Sequence, residues 1–178
     1  MKFKNYINEL SMRKETRIIT DEATSDTYIV DVFLEGGDVF NVSAVVIVNN
    51  ETPDDIDRKL LSSDKLVIPF KPDIKLSMWE IDFEDDEGSY YTSSKDSGVG
   101  LELFAAIEKF FKDFMKKYKP EGFTFGTISG NEKSKIKLYR TLAKRIEKGY
   151  PNYKKFETER KIDWYLIRKD LLLKKKKK

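Results

Sequence analysis

The run Leu103 to Ile128, "LFAAIEKFFKDFMKKYKPEGFTFGTI", constrains the fold more than any other part of the chain. Leu103, Phe104, Ile107, Phe111, Phe114 and Tyr118 recur at spacings of three and four, which lines them up on one face of a helix. Pro120 has no N–H to donate and stops that helix. The segment that follows, "GFTFGTI", carries apolar residues or glycine on both faces, so it reads as a central strand covered on both sides. A helix with one face to bury and a strand with two call for a sheet with helices packed on it. The expectation is an α/β (α+β) single domain with a mixed sheet flanked by helices.

The other elements fit around this centre. "MKFKNYINELSMRK" predicts a short amphipathic helix with Phe3, Tyr6, Ile7 and Leu10 on one side, and the polar "ITDEATSDT" predicts a loop. "YIVDVFLEGGDVFNVSAVVIV" predicts a hairpin turning at Gly36-Gly37. Thr52 as N-cap, Pro53 at the first helical position and acidic residues after it predict a short helix. "KLVIPF" predicts a strand. "KLSMWEIDFED" alternates, with Ser77, Trp79, Ile81 and Phe83 on one side and Met78, Glu80, Asp82 and Glu84 on the other. "SGNEKSKIKLYRTLAKRIEKG" predicts a second strong helix. Its apolar stripe is Ile136, Tyr139, Leu142, Ala143 and Ile146; Ser129 or Asn131 caps it and Gly149 closes it. "YKKFETER" and "DWYLIRK" predict final strands. The expected organisation is a leader and loop over 1–26, one domain over 27–170 and a basic tail over 171–178.

Composition narrows the chemistry. The 178 residues are 39% hydrophobic and 37% charged, which fits one domain with a heavily charged surface. There is no Cys and no His. Disulfides, thiolate nucleophiles, Ser-His triads and nearly all zinc sites are therefore excluded. Proton transfer would fall to Asp, Glu, Lys, Tyr or water, and a metal would need oxygen ligands. The N-terminus lacks the apolar core of a secretory signal, and no apolar run is long enough to span a bilayer. Net charge is only +3 but unevenly spread. Acidic residues gather in "DFEDDEG". Basic residues end in Lys174, Lys175, Lys176, Lys177 and Lys178, which reads as a solvated tail or as a contact to nucleic acid or another acidic partner.

"KDSGVG", Lys95 to Gly100, stands between an alternating strand and the long helix. A helix N-terminus presents N–H groups without intrahelical acceptors and a partial positive charge. Glycines there let the backbone approach an anion without a Cβ in the way. The motif reads either as a phosphate cradle or as a turn that merely precedes a helix.

With the elements after it, this segment resembles the acyl-CoA-binding half of the GCN5-related N-acetyltransferase (GNAT) superfamily, over roughly Lys75 to Trp164. That family's phosphate loop reads Arg/Gln-x-x-Gly-x-Gly/Ala, and Lys95-Asp96-Ser97-Gly98-Val99-Gly100 is similar, with Lys in the first position. The strand "GFTFGTI", Asn131, Ser134 and the pair Leu138-Tyr139 follow in the family's order. The resemblance implies a GNAT-like sheet and acetyl-CoA as co-substrate. It implies that Lys95, Ser97, Gly98, Val99, Gly100, Asn131 and Ser134 hold the cofactor, and that Tyr139 protonates the departing thiolate. Glu80 or Asp82 would then relay the proton of an acceptor amine, since burial beside the sheet makes a carboxylate a better base. The chain departs from the pattern at Asp96, whose charge opposes a pyrophosphate, and in lacking the long helix pair that normally walls the acceptor.

The run "FAAIEKFFKDFMKKYKPEGFTFGTISG…SKIKLYRTLAKRI" also resembles small proteins encoded by tailed bacteriophages. That implies a host-cytoplasm or virion location, with Ile7-Asn8-Glu9 as a processing point of the leader. Two functions follow: an acyl-CoA-dependent N-acyltransferase, or a non-catalytic phage accessory or virion protein that binds protein or nucleic acid.

Overall fold

The computed structural model describes residues 17–33, 39–61, 66–85, 97–126, 133–159 and 162–174. Along the chain run β1 (Arg17–Ala23), β2 (Thr27–Phe33), β3 (Val39–Glu51), α1 (Pro53–Ile56) continued by a π turn (Asp57–Leu61), β4 (Leu76–Asp85), α2 (Ser97–Tyr118), β5 (Gly122–Gly126), α3 (Lys133–Gly149), β6 (Tyr153–Glu157), β7 (Asp163–Arg168) and a 3₁₀ turn (Lys169–Leu171). The strands form one mixed seven-stranded sheet in the order β1-β2-β3-β4-β5-β7-β6. The chain divides into two compact units, Met1–Val45 with Ile81–Lys119 and Val46–Glu80 with Pro120–Lys178.

In the first unit, β2 pairs antiparallel with β1 and β3, from Thr27↔Val45 to Phe33↔Val39 on the β3 side. Tyr28, Val30 and Val32 alternate inward and are buried. The aromatic face of α2 meets them. Tyr28 stacks on Phe110 at 5.2 Å and on Phe114 at 6.4 Å, and Phe111 tilts against Phe83. Tyr118 ends the stripe by donating its hydroxyl to the carbonyl of Thr24 (3.0 Å). Lys119 then takes a positive φ of 45°, and Pro120 prevents any continuation.

Residues 19–27 are not the expected loop. Arg17–Ala23 form β1, with a register shift between Thr20 and Glu22, and only Thr24–Asp26 turn. The Thr24 hydroxyl accepts from the Thr27 N–H at 3.1 Å and closes that turn. The segment was hidden by its polarity. It lies at the sheet edge, with Ile19 47% exposed, so its order comes from pairing with β2 and not from apolar alternation of its own.

In the second unit, β5 pairs parallel with β4, from Met78↔Gly122 to Glu80↔Thr124, and antiparallel with β7 along its whole length. Its first four residues are buried, as a strand apolar on both faces requires. β7 pairs in turn with β6. Buried Leu142, Ala143 and Ile146 form the apolar stripe of α3 with Tyr139, and the helix ends at Gly149 as expected. Thr52 caps α1, its hydroxyl accepting from the Asp55 N–H. The expected strand "KLVIPF" does not form. Phe70 makes a single bridge to Leu172, because Pro69 has no N–H for a ladder; Ile68 and Phe70 join the core as extended chain. The expected N-terminal helix, the Gly36-Gly37 turn, both proposed caps of α3 and Lys175–Lys178 lie outside the described residues.

Tyr153 ties β6 to the start of β5. Its buried hydroxyl donates to the Pro120 carbonyl, and burial pushes the phenol up to about 12 from its ordinary 10.0. The folded protein thus keeps a proton that the unfolded chain releases near pH 10. The resulting stability is full below pH 10 and disappears as pH rises to 12, a loss of about 2–3 kcal/mol. Urea unfolding across that window should show the decline in the wild type. In Tyr153→Phe the decline should be shallower by about this amount.

Candidate functional site

The strand leading to the glycine pair carries the carboxylate candidates. Leu76, Met78 and Trp79 of β4 are all buried, so alternation begins only further along. From there Glu80 is exposed, Ile81 buried, Asp82 half-buried and Phe83 buried. Glu80 sits opposite Thr124 in the parallel register. The burial expected of a base is thus absent at Glu80 and partial at Asp82.

Ser97, Gly98, Val99 and Gly100 are not a loop ahead of the helix. They are the first turn of α2 itself. The apolar stripe from Phe104 onward secures the helix, and the turn before it is added at little cost because its N–H groups need no intrahelical partner. Backbone N–H groups are therefore presented at Ser97 to Gly100, with no Cβ at two of the four positions. That arrangement can hold a phosphate or another compact anion. Lys95 and Asn131 lie outside the described residues. Ser134 is the second residue of α3.

Tyr139 is 5% exposed on α3. Its ring stands edge-on to Phe125 of β5 (6.2 Å, 88°) and to Trp164 of β7 (6.2 Å, 85°). Phe125 and Trp164 tilt against each other at 6.1 Å. An aromatic cluster of this kind fixes the phenol rigidly, which suits a core tyrosine and a positioned acid alike. The sequence placed Trp164 on the expected strand "DWYLIRK". The structure adds that its fully buried Nε1–H has no hydrogen-bond partner among the described residues. Leaving such a donor unpaired costs about 1–3 kcal/mol. No spacing rule announces it, because it follows from what β5, β7 and α3 leave around the indole.

Comparison of the chain with protein-family profiles, with curated protein sequences and with solved structures finds no match in any of the three. Among the described residues no three carboxylates gather to hold a metal ion. Among them, too, no helix is long and apolar enough to cross a membrane.

Proposed function

We propose that the chain is an acyl-CoA-dependent N-acyltransferase of the GNAT type, transferring an acetyl group to an amine. One observation carries the reading: Gly98-Val99-Gly100 forms the first turn of a 22-residue helix that follows β4, the strand paired in parallel with β5. Anions bind where helices begin beyond the carboxyl ends of parallel strands. The amides of Ser97 to Gly100 hold the pyrophosphate of acetyl-CoA, with Lys95, Asn131 and Ser134 along the cofactor. A carbonyl of β4 orients the thioester. Asp82 or Glu80 relays the amine proton, and Tyr139 protonates the thiolate.

Calorimetry with acetyl-CoA tests this. The wild type should release heat at millimolar ligand or below. Gly100→Glu should abolish it, by putting bulk and negative charge where the pyrophosphate sits. The same substitution should leave the helix at least as stable, since Glu is a better helix former than Gly and is favoured in a first turn. Silence of the wild type would sink the acyltransferase. Unchanged affinity in Gly100→Glu would move the site elsewhere.

A second reading draws on the packing of Tyr139 and the exposure of Glu80. In it the fold is kept without catalysis, as a phage accessory or virion protein that works by binding. No acetyl-CoA heat, together with capture of a macromolecular partner, is its expected signature.

A further inference from the structure

The helix α3 holds seven Lys and Arg against one acid, Glu147, a net +6 in 17 residues where the whole chain nets only +3. The excess is concentrated on one face. At 100° per residue, Lys137, Arg140, Lys144 and Lys148 fall within an arc of about 80°, turned away from the buried stripe. Lys137, Lys144 and Lys148 are exposed, as is Thr141 beside them. From Lys137 to Lys148 the row is about 16 Å long at the helical rise.

This is not the pattern of an ordinary solvated helix, and α2 supplies the contrast within the same chain. There Lys109, Lys112, Lys116 and Lys117 alternate with Glu102, Glu108 and Asp113, so the charges nearly balance. On α3 the acids nearby are already engaged. Glu147 accepts from the Lys155 backbone N–H at 2.9 Å, and Glu157 takes Arg140 at 3.2 Å. Among the described residues no ion pair compensates Lys137, Lys144 or Lys148.

We infer that this face of α3 is a binding surface for the phosphate backbone of nucleic acid, separate from the first turn of α2. The charges are strung out and open to solvent, so they cannot enclose a small anion; a polymer with charge at short regular intervals matches them. A DNA strand carries one phosphate per 3.4 Å of axis, and a row of about 16 Å lies along four or five. A protein partner is the poorer fit. Protein interfaces are depleted in lysine and built around aromatic or apolar anchors, and this arc presents none, whereas nucleic-acid interfaces are polar and strongly positive. Arg140, whose fork could read a guanine edge, is engaged by Glu157, and a row of exposed lysines tracks phosphates, so binding is to the backbone and indifferent to sequence.

The test is fluorescence anisotropy of the full chain with a short labelled DNA duplex over a series of salt concentrations. The comparison is the triple variant Lys137→Gln/Lys144→Gln/Lys148→Gln, whose exposed positions all accept a good helix former. The wild type should bind two unrelated sequences alike. Its log–log salt slope should exceed that of the variant by about 2.7, which is about 0.9 for each of three phosphates that the variant leaves without a cation. The variant should bind more weakly by about 100-fold at low salt, with the same thermal unfolding midpoint. A second variant with Lys175 to Lys178 changed to serine separates the tail from the helix. The inference is overturned if the triple variant binds as the wild type does, if the serine variant alone loses binding, or if polyglutamate competes as well as the duplex does.

Discussion

Phe114→Ala should lower the unfolding free energy by about 3–5 kcal/mol, read from urea denaturation. Phe114 is fully buried at the centre of the α2 stripe. Phe110 stacks on it at 5.9 Å with rings 7° apart, Tyr118 tilts onto it at 5.5 Å, and Tyr28 of β2 lies at 6.4 Å. Truncation removes the transfer energy of a whole ring. It also opens a cavity that three stiff aromatic neighbours cannot close. Domains of this size have total stabilities of only about 5–15 kcal/mol, so the variant should approach the threshold of folding. Phe114→Leu keeps most of the volume and should lose clearly less. A loss below about 1 kcal/mol for Phe114→Ala would mean that α2 does not hold β2 by this face.

Gly122→Val should be comparably damaging for the opposite reason. Gly122 lies in β5 directly between Met78 of β4 and Ile167 of β7. A Cβ there would collide with the Met78 sulfur and come within 2.7 Å of Ile167 Cδ1. Valine adds two more carbons in a core where both neighbours are fully buried. The expected loss is about 3 kcal/mol, at the top of the range for overpacking. Gly122→Ala should lose less, because it adds the Cβ alone and the flexible end of Met78 can move aside from it. A double variant makes the cause visible. Met78→Ala vacates the space the new Cβ needs, so Met78→Ala/Gly122→Ala should be more stable than the sum of the two single effects predicts. Strict additivity would point to backbone entropy as the cause and not to the collision.

The candidate site was legible only as far as its chemistry is local. Gly98 and Gly100 could be read from sequence because a glycine pair at the head of an apolar period implies backbone N–H groups without neighbours. That they are the first turn of α2, and not a loop before it, depended on how far back the helix extends. The alternation of β4 announced Glu80 and Asp82 as neighbours in sequence but not how differently each is covered. Tyr139 lay on a predicted apolar stripe. The edge-on packing by Phe125 and Trp164, and an indole N–H beside it with no partner among the described residues, arise from strands far apart in the chain.

The basic face of α3 is the reverse case. Its residues are all in one short segment, yet the apolar stripe drew attention to the buried side. Which lysines stand in solvent, and which acids nearby are already committed to Lys155 and Arg140, depends on the fold.

By itself the sequence determined α2, α3, the cap of α1 and the double-sided burial of β5, because helix period, capping and two-faced hydrophobicity are properties of a few consecutive residues. Tertiary structure decided that Arg17–Ala23 is a strand and that Leu66–Phe70 is not. A polar edge strand exists only through the partner that accepts its hydrogen bonds, and an apolar segment containing Pro69 cannot offer a full ladder however well it packs. Tertiary structure also decided that β5 runs parallel to β4 and antiparallel to β7. Strand direction is set by where the connecting helices pack, and no run of residues within the strand encodes it.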